Sequence, residues 1–524
     1  MMKAPELARW RFSRTTWRLI SLLAAGLATV FVAFHNLATF PGTWFDEGAH
    51  LYAVKMLILE PENPATQLNQ FESTISVGPP VWLPIDLVFR VFGVGLIQAR
   101  SVMAVYLIAT LWTFYYLARS LGGERFAIAA TALVVSTRSV SLVYFGRQAL
   151  GEVPGLFFLL AALALWFGKW ERSDTFRLIA VGLLLGLAAI TKPQVLMTVV
   201  LAQFISCLIN AWHYRTPLRV FLIPGIVTAA CVCGYYISYL FLVIGPAAAA
   251  DFLTAFREGT ATVAAVFSPQ IMKQNTYTLL GFETDSVYGG WLAPAILYVS
   301  ALSLRRCGQE QRWNIVLTLI AVHLTWFVFA SVGWLRLAFL GLALASLCVA
   351  RLFRDLTDNF QFGLRRLWSA PQRKALSLSF WLQLAVLCWL VFTVALPIRR
   401  LGHLIVSTDS SAPLAMAEYL NKYVSREPVI ETWEKELAFL TDHNYHLPPM
   451  QLEQKWAAQK NLGGKPVSEF YDFTKPRLPP YVLVGNFSRQ VNLYQKAPLL
   501  EHYLLETTID PYELHVLKNS SLTR

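Results

Sequence analysis

The chain has 524 residues, 56% of them hydrophobic and 15% charged, with a mean hydropathy of +0.47 and a formal net charge of +12. So apolar a composition, gathered in long runs, excludes a water-soluble globular protein of this size and reads as membrane protein. The basic excess is spread over many short connections rather than one face, which excludes a nucleic-acid surface as its cause, and the absence of cysteine after Cys388 leaves the C-terminal region without an intrachain disulfide.

In chain order, the apolar runs predict about eleven membrane spans, near 17–38, 97–118, 126–145, 153–168, 176–191, 194–211, 218–244, 288–304, 313–331, 334–350 and 378–398. The first follows a basic stretch and has the polarity of a signal peptide. It is long and lacks a small-x-small cleavage site, so it is read as a retained span. Alternate connections carry Arg9, Arg11 and Arg14; Arg119 and Arg125; Lys169, Arg172 and Arg177; Arg215 and Arg219; Arg305, Arg306 and Arg312; and Arg351, Arg354, Arg365, Arg366, Arg373 and Lys374. The positive-inside rule makes these cytoplasmic, and an odd number of spans then places the C-terminal region outside. Two domains result, a membrane domain over 1–398 and an extracytoplasmic domain over 399–524.

With this topology the loop from about 39 to 96 is external and holds "GTWFDEGAHLYAVKM" (42–56), with Asp46 and Glu47 side by side. The next external turns hold Arg147 and Glu152, then Lys192 in "TKPQ", then the long loop 245–287, then Arg336 in "SVGWLR". Local chemistry accounts for each charge singly. Asp46 suits a helix N-cap and Glu47 the helix dipole. Arg147 and Arg336 can snorkel to headgroups. Lys192 precedes a helix-breaking proline, and Glu152 precedes Val-Pro at a helix start. Yet charge at this depth is costly, so each residue needs a partner or a role, and here acids and bases converge on one face. His50 lies one helical turn after Asp46, but no HExxH-like spacing accompanies it, and a metal is left unassigned.

The segment "DFLTAFREGTATVAAVF" (251–267) alternates apolar and polar residues and suits the membrane surface. The C-terminal region reads as a small α/β unit: helices over 412–424 and 435–443, and strands over 428–432, 481–487, 502–508 and 512–518. Trp433, His443, Tyr445 and His446 suit acceptor contacts and core packing equally, so no site is assigned there.

Four segments resemble one known group in sequence order: "WFDEGAHLYAVKMLI" (44–58), the stretch from Gly78 to Gly123 with its Phe-Arg-x-Phe-Gly and Ala-Arg motifs, "GRQALGEVPGLFFLLAALALW" (146–166) and "GLLLGLAAITKPQVLM" (182–197). The chain resembles the GT-C glycosyltransferases that use polyprenyl-phosphate sugars, the group of protein O-mannosyltransferases and lipid A aminoarabinose transferases, over roughly residues 40–345. His50 stands where a tyrosine is usual, and Glu152 where many relatives have aspartate. The resemblance implies a multi-pass α-helical membrane protein of GT-C type with a small extracytoplasmic α/β domain. It also implies inverting transfer of a sugar from a polyprenyl-phosphate donor to a hydroxyl of a glycolipid, glycan or protein at the outer face of the cytoplasmic membrane, with no cofactor required.

In that reaction a hydroxyl is a poor nucleophile at neutral pH and needs a carboxylate to take its proton, which points to Asp46 as catalytic base. The leaving phosphate gains negative charge and needs cations; Arg336, Lys192 and Arg147 are expected to bind it, in that order. Glu47 and Glu152 are the expected acceptor-binding or supporting acids. A secondary transporter would instead place its charges near the midplane, in broken helices related by an inverted repeat. A non-catalytic lipid-binding protein would explain the cations but not the acids beside them.

Overall fold

The protein is described by a computed structural model, which covers residues 14–59, 77–137, 141–168, 174–247, 249–280, 287–305, 308–360, 378–407, 411–449, 452, 455–456, 459 and 467–518. The basic residues Arg9, Arg11, Lys169, Arg172, Arg306, Arg365, Arg366, Arg373 and Lys374 lie outside the described residues.

Helices dominate: α1 (Arg14–Phe34), α2 (Phe45–Leu59), α3 (Pro79–Phe92), α4 (Leu96–Gly122), α5 (Glu124–Ser136), α6 (Glu152–Phe167), α7 (Asp174–Thr191), α8 (Pro193–His213), α9 (Arg219–Ser238), α10 (Ala249–Val263), α11 (Pro269–Leu280), α12 (Leu292–Ser303), α13 (Gly308–Ala330), α14 (Phe339–Leu356) and α15 (Leu378–Val406). Among the described residues, seven helical stretches are long and apolar enough to cross a membrane, and the shorter helices Leu19–Phe34, Glu152–Phe167 and Leu292–Ser303 are apolar as well. The expected span at 126–145 is instead α5, 13 residues long, followed by a separate short turn at Leu142–Phe145. At 1.5 Å per residue α5 covers about 20 Å, short of a hydrocarbon core of about 30 Å. α14 is the central helix, buried continuously from Phe339 to Phe353. Leucines and phenylalanines on α1, α8 and α9 remain exposed, as lipid-facing positions do.

Local chemistry sets the breaks. The residue before a proline is pushed to extended backbone, and Lys192, before Pro193, sits at φ −156°, ψ 142°, dividing α7 from α8 as expected. α3 opens on Pro79-Pro80 after Gly78, and Gly78 donates its N–H to Thr191 O at 2.9 Å. A Cβ there would lie 1.7 Å from Ile190 O, so only glycine permits this approach of the loop to the α7–α8 turn.

The last membrane helix runs on to Val406, eight residues past the expected boundary at 398. The α/β unit follows: α16 (Ala412–Tyr423), β1 (Val429–Thr432), α17 (Lys435–Leu440), β2 (Asn444–His446), β3 (Tyr481–Val484), α18 (Asn486–Gln490), α19 (Lys496–His502), β4 (Tyr503–Ile509) and β5 (Tyr512–Leu517). The sheet order is β2-β1-β3-β5-β4, with β1 parallel to β2 and β3, and β5 antiparallel to β3 and β4. Its core, with Met416, Leu420, Ile430, Leu437, Leu483 and Leu514, is separate from that of the bundle.

α2 joins the two parts. Its Gly48 faces α17 so closely that a Cβ would lie 2.2 Å from Glu436 Cα. Lys55 donates to Thr441 O at 2.6 Å, Phe439 O at 3.3 Å and Asp442 Oδ1 at 2.9 Å, satisfying carbonyls at the C-terminal end of α17. Phe439 itself packs among Leu51, Val54, Ile85 and Phe89 of α2 and α3.

Candidate functional site

The first turn of α2 brings Asp46 and Glu47 to the bundle end that carries the α/β unit. Asp46 points outward and pairs with Arg336 Nη1; their side chains are 27% and 19% exposed, the most open of the site's ion pairs. Arg336 lies in the 3₁₀ turn Leu335–Ala338 that leads into α14, and its guanidinium stacks over Trp44 at 4.8 Å and Trp334 at 5.2 Å. Asn275 of α11 steadies the end of α13 that precedes that turn, donating to Phe327 O at 2.9 Å and Ser331 O at 3.3 Å.

Beside this pair, Lys192 binds Glu152 Oε1 at the junction of α6 and α8, and both are nearly buried. Asp46 lies within electrostatic reach of Arg336, His50 and Lys192, and Glu152 within reach of Lys192, Arg336 and His50. Burial would raise the Asp46 carboxyl, but the Arg336 charge, with lesser help from His50 and Lys192, holds it below the usual aspartate range. Burial depresses His50 to about 4, so the ring is neutral near pH 7. Its Nδ1 lies 2.9 Å from Ala149 O, which accepts only, and this assigns the proton to Nδ1 and leaves Nε2 an acceptor. Two buried polar atoms here, Glu152 Oε2 and Trp44 Nε1, have no hydrogen-bond partner among the described residues.

Two of the expected site residues stand elsewhere. Glu47 is fully buried, away from the cleft, and takes a forked pair of bonds from Arg100 at 2.9 and 2.6 Å together with the Ala149 N–H at 3.0 Å. Arg100 spends its remaining Nη1 on Leu37 O at 2.7 Å. Arg147, expected on the donor phosphate, is also fully buried; it donates to Phe40 O at 3.0 and 3.1 Å and to the carbonyls of Val32 and His35 at the end of α1. These groups hold the α1–α2 connection in place, and each of the three guanidinium nitrogens of Arg147 donates to one of these carbonyls. Arg100 is the functional neighbour that sequence reasoning missed. Its signal was an arginine five residues into an otherwise apolar helix.

The α/β unit covers the cleft. Phe45 stacks on Phe487 with centroids 4.0 Å apart, Lys435 Nζ lies 4.8 Å above the Phe45 ring, and Trp334 stacks on Trp456 at 6.2 Å. Within that unit, Trp433 and His443 are buried, while His446 pairs with Glu431. Among the described residues no group of three or more His, Cys, Asp or Glu side chains is placed to hold a metal ion.

Residues 77–239 match the family model described as dolichyl-phosphate-mannose-protein mannosyltransferase. No curated protein matches the chain. Among solved structures, ArnT from Cupriavidus metallidurans bound to undecaprenyl phosphate is similar at 13% identity and TM-score 0.58, over 97% of this chain and 99% of that one. The archaeal oligosaccharyltransferase AglB from Archaeoglobus fulgidus, in complex with an inhibitory peptide and a dolichol-phosphate, is similar at 14% identity and TM-score 0.54, over 98% of this chain and 75% of that one. At these identities the likeness establishes the fold. The chain is a multi-pass helical membrane protein of GT-C type that carries a small C-terminal sheet domain.

Proposed function

We propose that the protein is an inverting glycosyltransferase that moves a sugar from a polyprenyl-phosphate donor to an acceptor hydroxyl at the outer face of the cytoplasmic membrane. The observation that carries this reading is the Asp46–Arg336 pair, partly exposed at the end of the bundle against which the α/β unit packs, with a second cation and a second acid beside it. The match to a lipid-phosphate mannosyltransferase family and the polyprenyl phosphates bound by ArnT and AglB support the substrate class.

In the reaction, the acceptor oxygen attacks the anomeric carbon, Asp46 takes its proton, and the bond from carbon to the phosphate oxygen breaks with its electron pair on the leaving polyprenyl phosphate. Arg336, packed on the Trp44 and Trp334 rings, offers a fork to two phosphate oxygens as that charge develops, and Lys192 adds a second charge. The unpaired Glu152 Oε2 suits a sugar or acceptor hydroxyl, and Trp44 Nε1 suits an oxygen acceptor. Glu47 and Arg147 act through the backbone, fixing where α2 begins. Without donor, Arg336 and Asp46 neutralise each other; a donor phosphate competes for Arg336 and releases the carboxylate, so donor binding precedes productive acceptor binding. The polyprenyl tail stays in the bilayer, since each methylene withdrawn costs about 0.8 kcal/mol.

The test is to incubate the purified full chain in detergent with radiolabelled polyprenyl-phosphate sugars and a membrane extract. Label passing from a lipid phosphate to an acceptor by wild type alone, and not by Asp46→Asn, is the expected result. No transfer from any donor across a broad panel, with saturable transport of a small solute in proteoliposomes, would replace the transferase by a transporter.

A further inference from the structure

A cavity of about 810 Å³ lies at the other end of the bundle. The candidate site adjoins Arg100, in the second turn of α4, whereas the cavity is lined by Gly122 and Gly123 at that helix's opposite end. The intervening 22 residues span about 33 Å at 1.5 Å each, so the two places are separate. The remaining walls come from the end of α6, the first turns of α7, α9 and α13, and the end of α14.

Three arginines line this cavity: Arg177, Arg312 and Arg354. Arg177 donates from Nη1 to Gly168 O at 2.8 Å and lies 3.4 Å from the exposed Asp174, but its Nε is buried with no hydrogen-bond partner among the described residues. Arg354 is engaged by Asp355 at 2.8 Å. For the half-buried Arg312 the described residues supply neither a hydrogen bond nor an ion pair. The neighbouring Arg351 and Glu310 close on each other at 2.6 and 2.9 Å and leave no carboxylate over for it. Trp166 and Phe221 meet edge to face at 5.2 Å and give the same cavity an apolar wall. A buried guanidinium N–H without a partner and an uncompensated arginine in one cavity call for an acceptor-rich anion, and the aromatic wall for a carbon chain attached to it.

We propose that this cavity binds the phosphate of a phosphate monoester or diester, with Arg312 and the Arg177 Nε donating to its oxygens. A phospholipid headgroup and a soluble phosphate share that chemistry, and the Trp166–Phe221 wall favours the lipid. The proposal is independent of the transferase reading, since it uses none of the residues of that site.

The experiment titrates the purified full chain, in neutral detergent, with dioctanoyl phosphatidylglycerol or with inorganic phosphate, and follows the melting temperature. Wild type, Arg177→Gln/Arg312→Gln and Arg336→Gln are compared, the last removing the cation of the opposite site. Phosphatidylglycerol should raise Tm saturably in wild type and in Arg336→Gln with the same half-saturation, while the double variant needs about tenfold more. Stabilisation by inorganic phosphate with the same dependence on Arg312 supports the anion site and assigns it a soluble ligand. If the double variant does not fold, Arg312→Gln alone is read, because that side chain holds nothing else in place. No saturable stabilisation by either probe, or an unchanged half-saturation in the variant that folds, overturns the proposal.

Discussion

Successive residues of a helix point about 100° apart, and that rotation sends Asp46 into the open cleft and Glu47 into the bundle. Their exposures, 27% and 0%, follow from it and separate the consequences of mutating them. Glu47→Gln leaves Arg100 a buried charge without its counterion, so it should cost about 3–5 kcal/mol of stability, measured by thermal unfolding in detergent. Asp46→Asn, at a partly open position, should leave stability nearly unchanged and lower kcat about 10²–10⁴-fold, measured by transfer of labelled sugar. The pH dependence follows from the same pair. Arg336 holds the Asp46 carboxyl below its ordinary value of 3.8, so the base is active above that lowered pKa and lost as pH falls through it. A donor phosphate on Arg336 weakens this hold, so the acid limb of kcat should lie at higher pH than that of kcat/KM. The residue types were legible in the sequence: charges at the ends of apolar runs on one face. The division between them was not, because the partner of Glu47 lies 53 residues away and that of Asp46 290 residues away. The backbone setting of Arg147 was not legible either, its carbonyl partners being invisible to any side-chain pattern.

At the scale of the element, α2 is the hinge of the account, since it carries both acids on one turn and the α/β unit on the next. Gly48 makes the contact possible, and Gly48→Val would drive a side chain into the backbone of Glu436. The expected outcome is a fall in turnover with faster proteolysis after residue 406, while the bundle's melting temperature barely changes. Lys55→Met should weaken the same joint by removing the donor to Phe439, Thr441 and Asp442. Short runs rich in β-branched and aromatic residues are enough to identify β1, β3, β4 and β5. It misses β2, whose three residues Asn444, Tyr445 and His446 carry no apolar alternation and form a strand only because β1 lies beside them. The break at Lys192-Pro193 was legible because proline acts on the backbone of its neighbour. The end of α5 was legible as well: the polar run Thr-Arg-Ser-Val-Ser at 137–141 marks it, and the expected span was drawn across that run to Leu142–Phe145.

Across the whole molecule, the fold suits the proposed substrate, with one end in lipid and the other in water. Apolar helices give the bundle, α14, buried from Phe339 to Phe353, fixes the Arg336 turn at its mouth, and the α/β unit roofs that end with Phe487 and Trp456. The composition announced the membrane part plainly, whereas the roof could not be read, because its contacts join residues more than 100 positions apart through aromatic faces. If the two parts form one catalytic unit, removing residues 411–524 should abolish transfer while leaving a membrane-inserted bundle, measured by activity and size-exclusion profile in detergent. The central claim is that Asp46 is the base and Arg336 the phosphate ligand, each neutralising the other until donor binds. It is tested most directly by measuring donor affinity and single-turnover transfer together for wild type and Asp46→Asn. The variant should bind a polyprenyl-phosphate sugar at least as tightly as wild type, since Arg336 is free of its competitor, yet transfer it at least about 100-fold more slowly. Transfer at the wild-type rate, or donor affinity lost along with transfer, would contradict it.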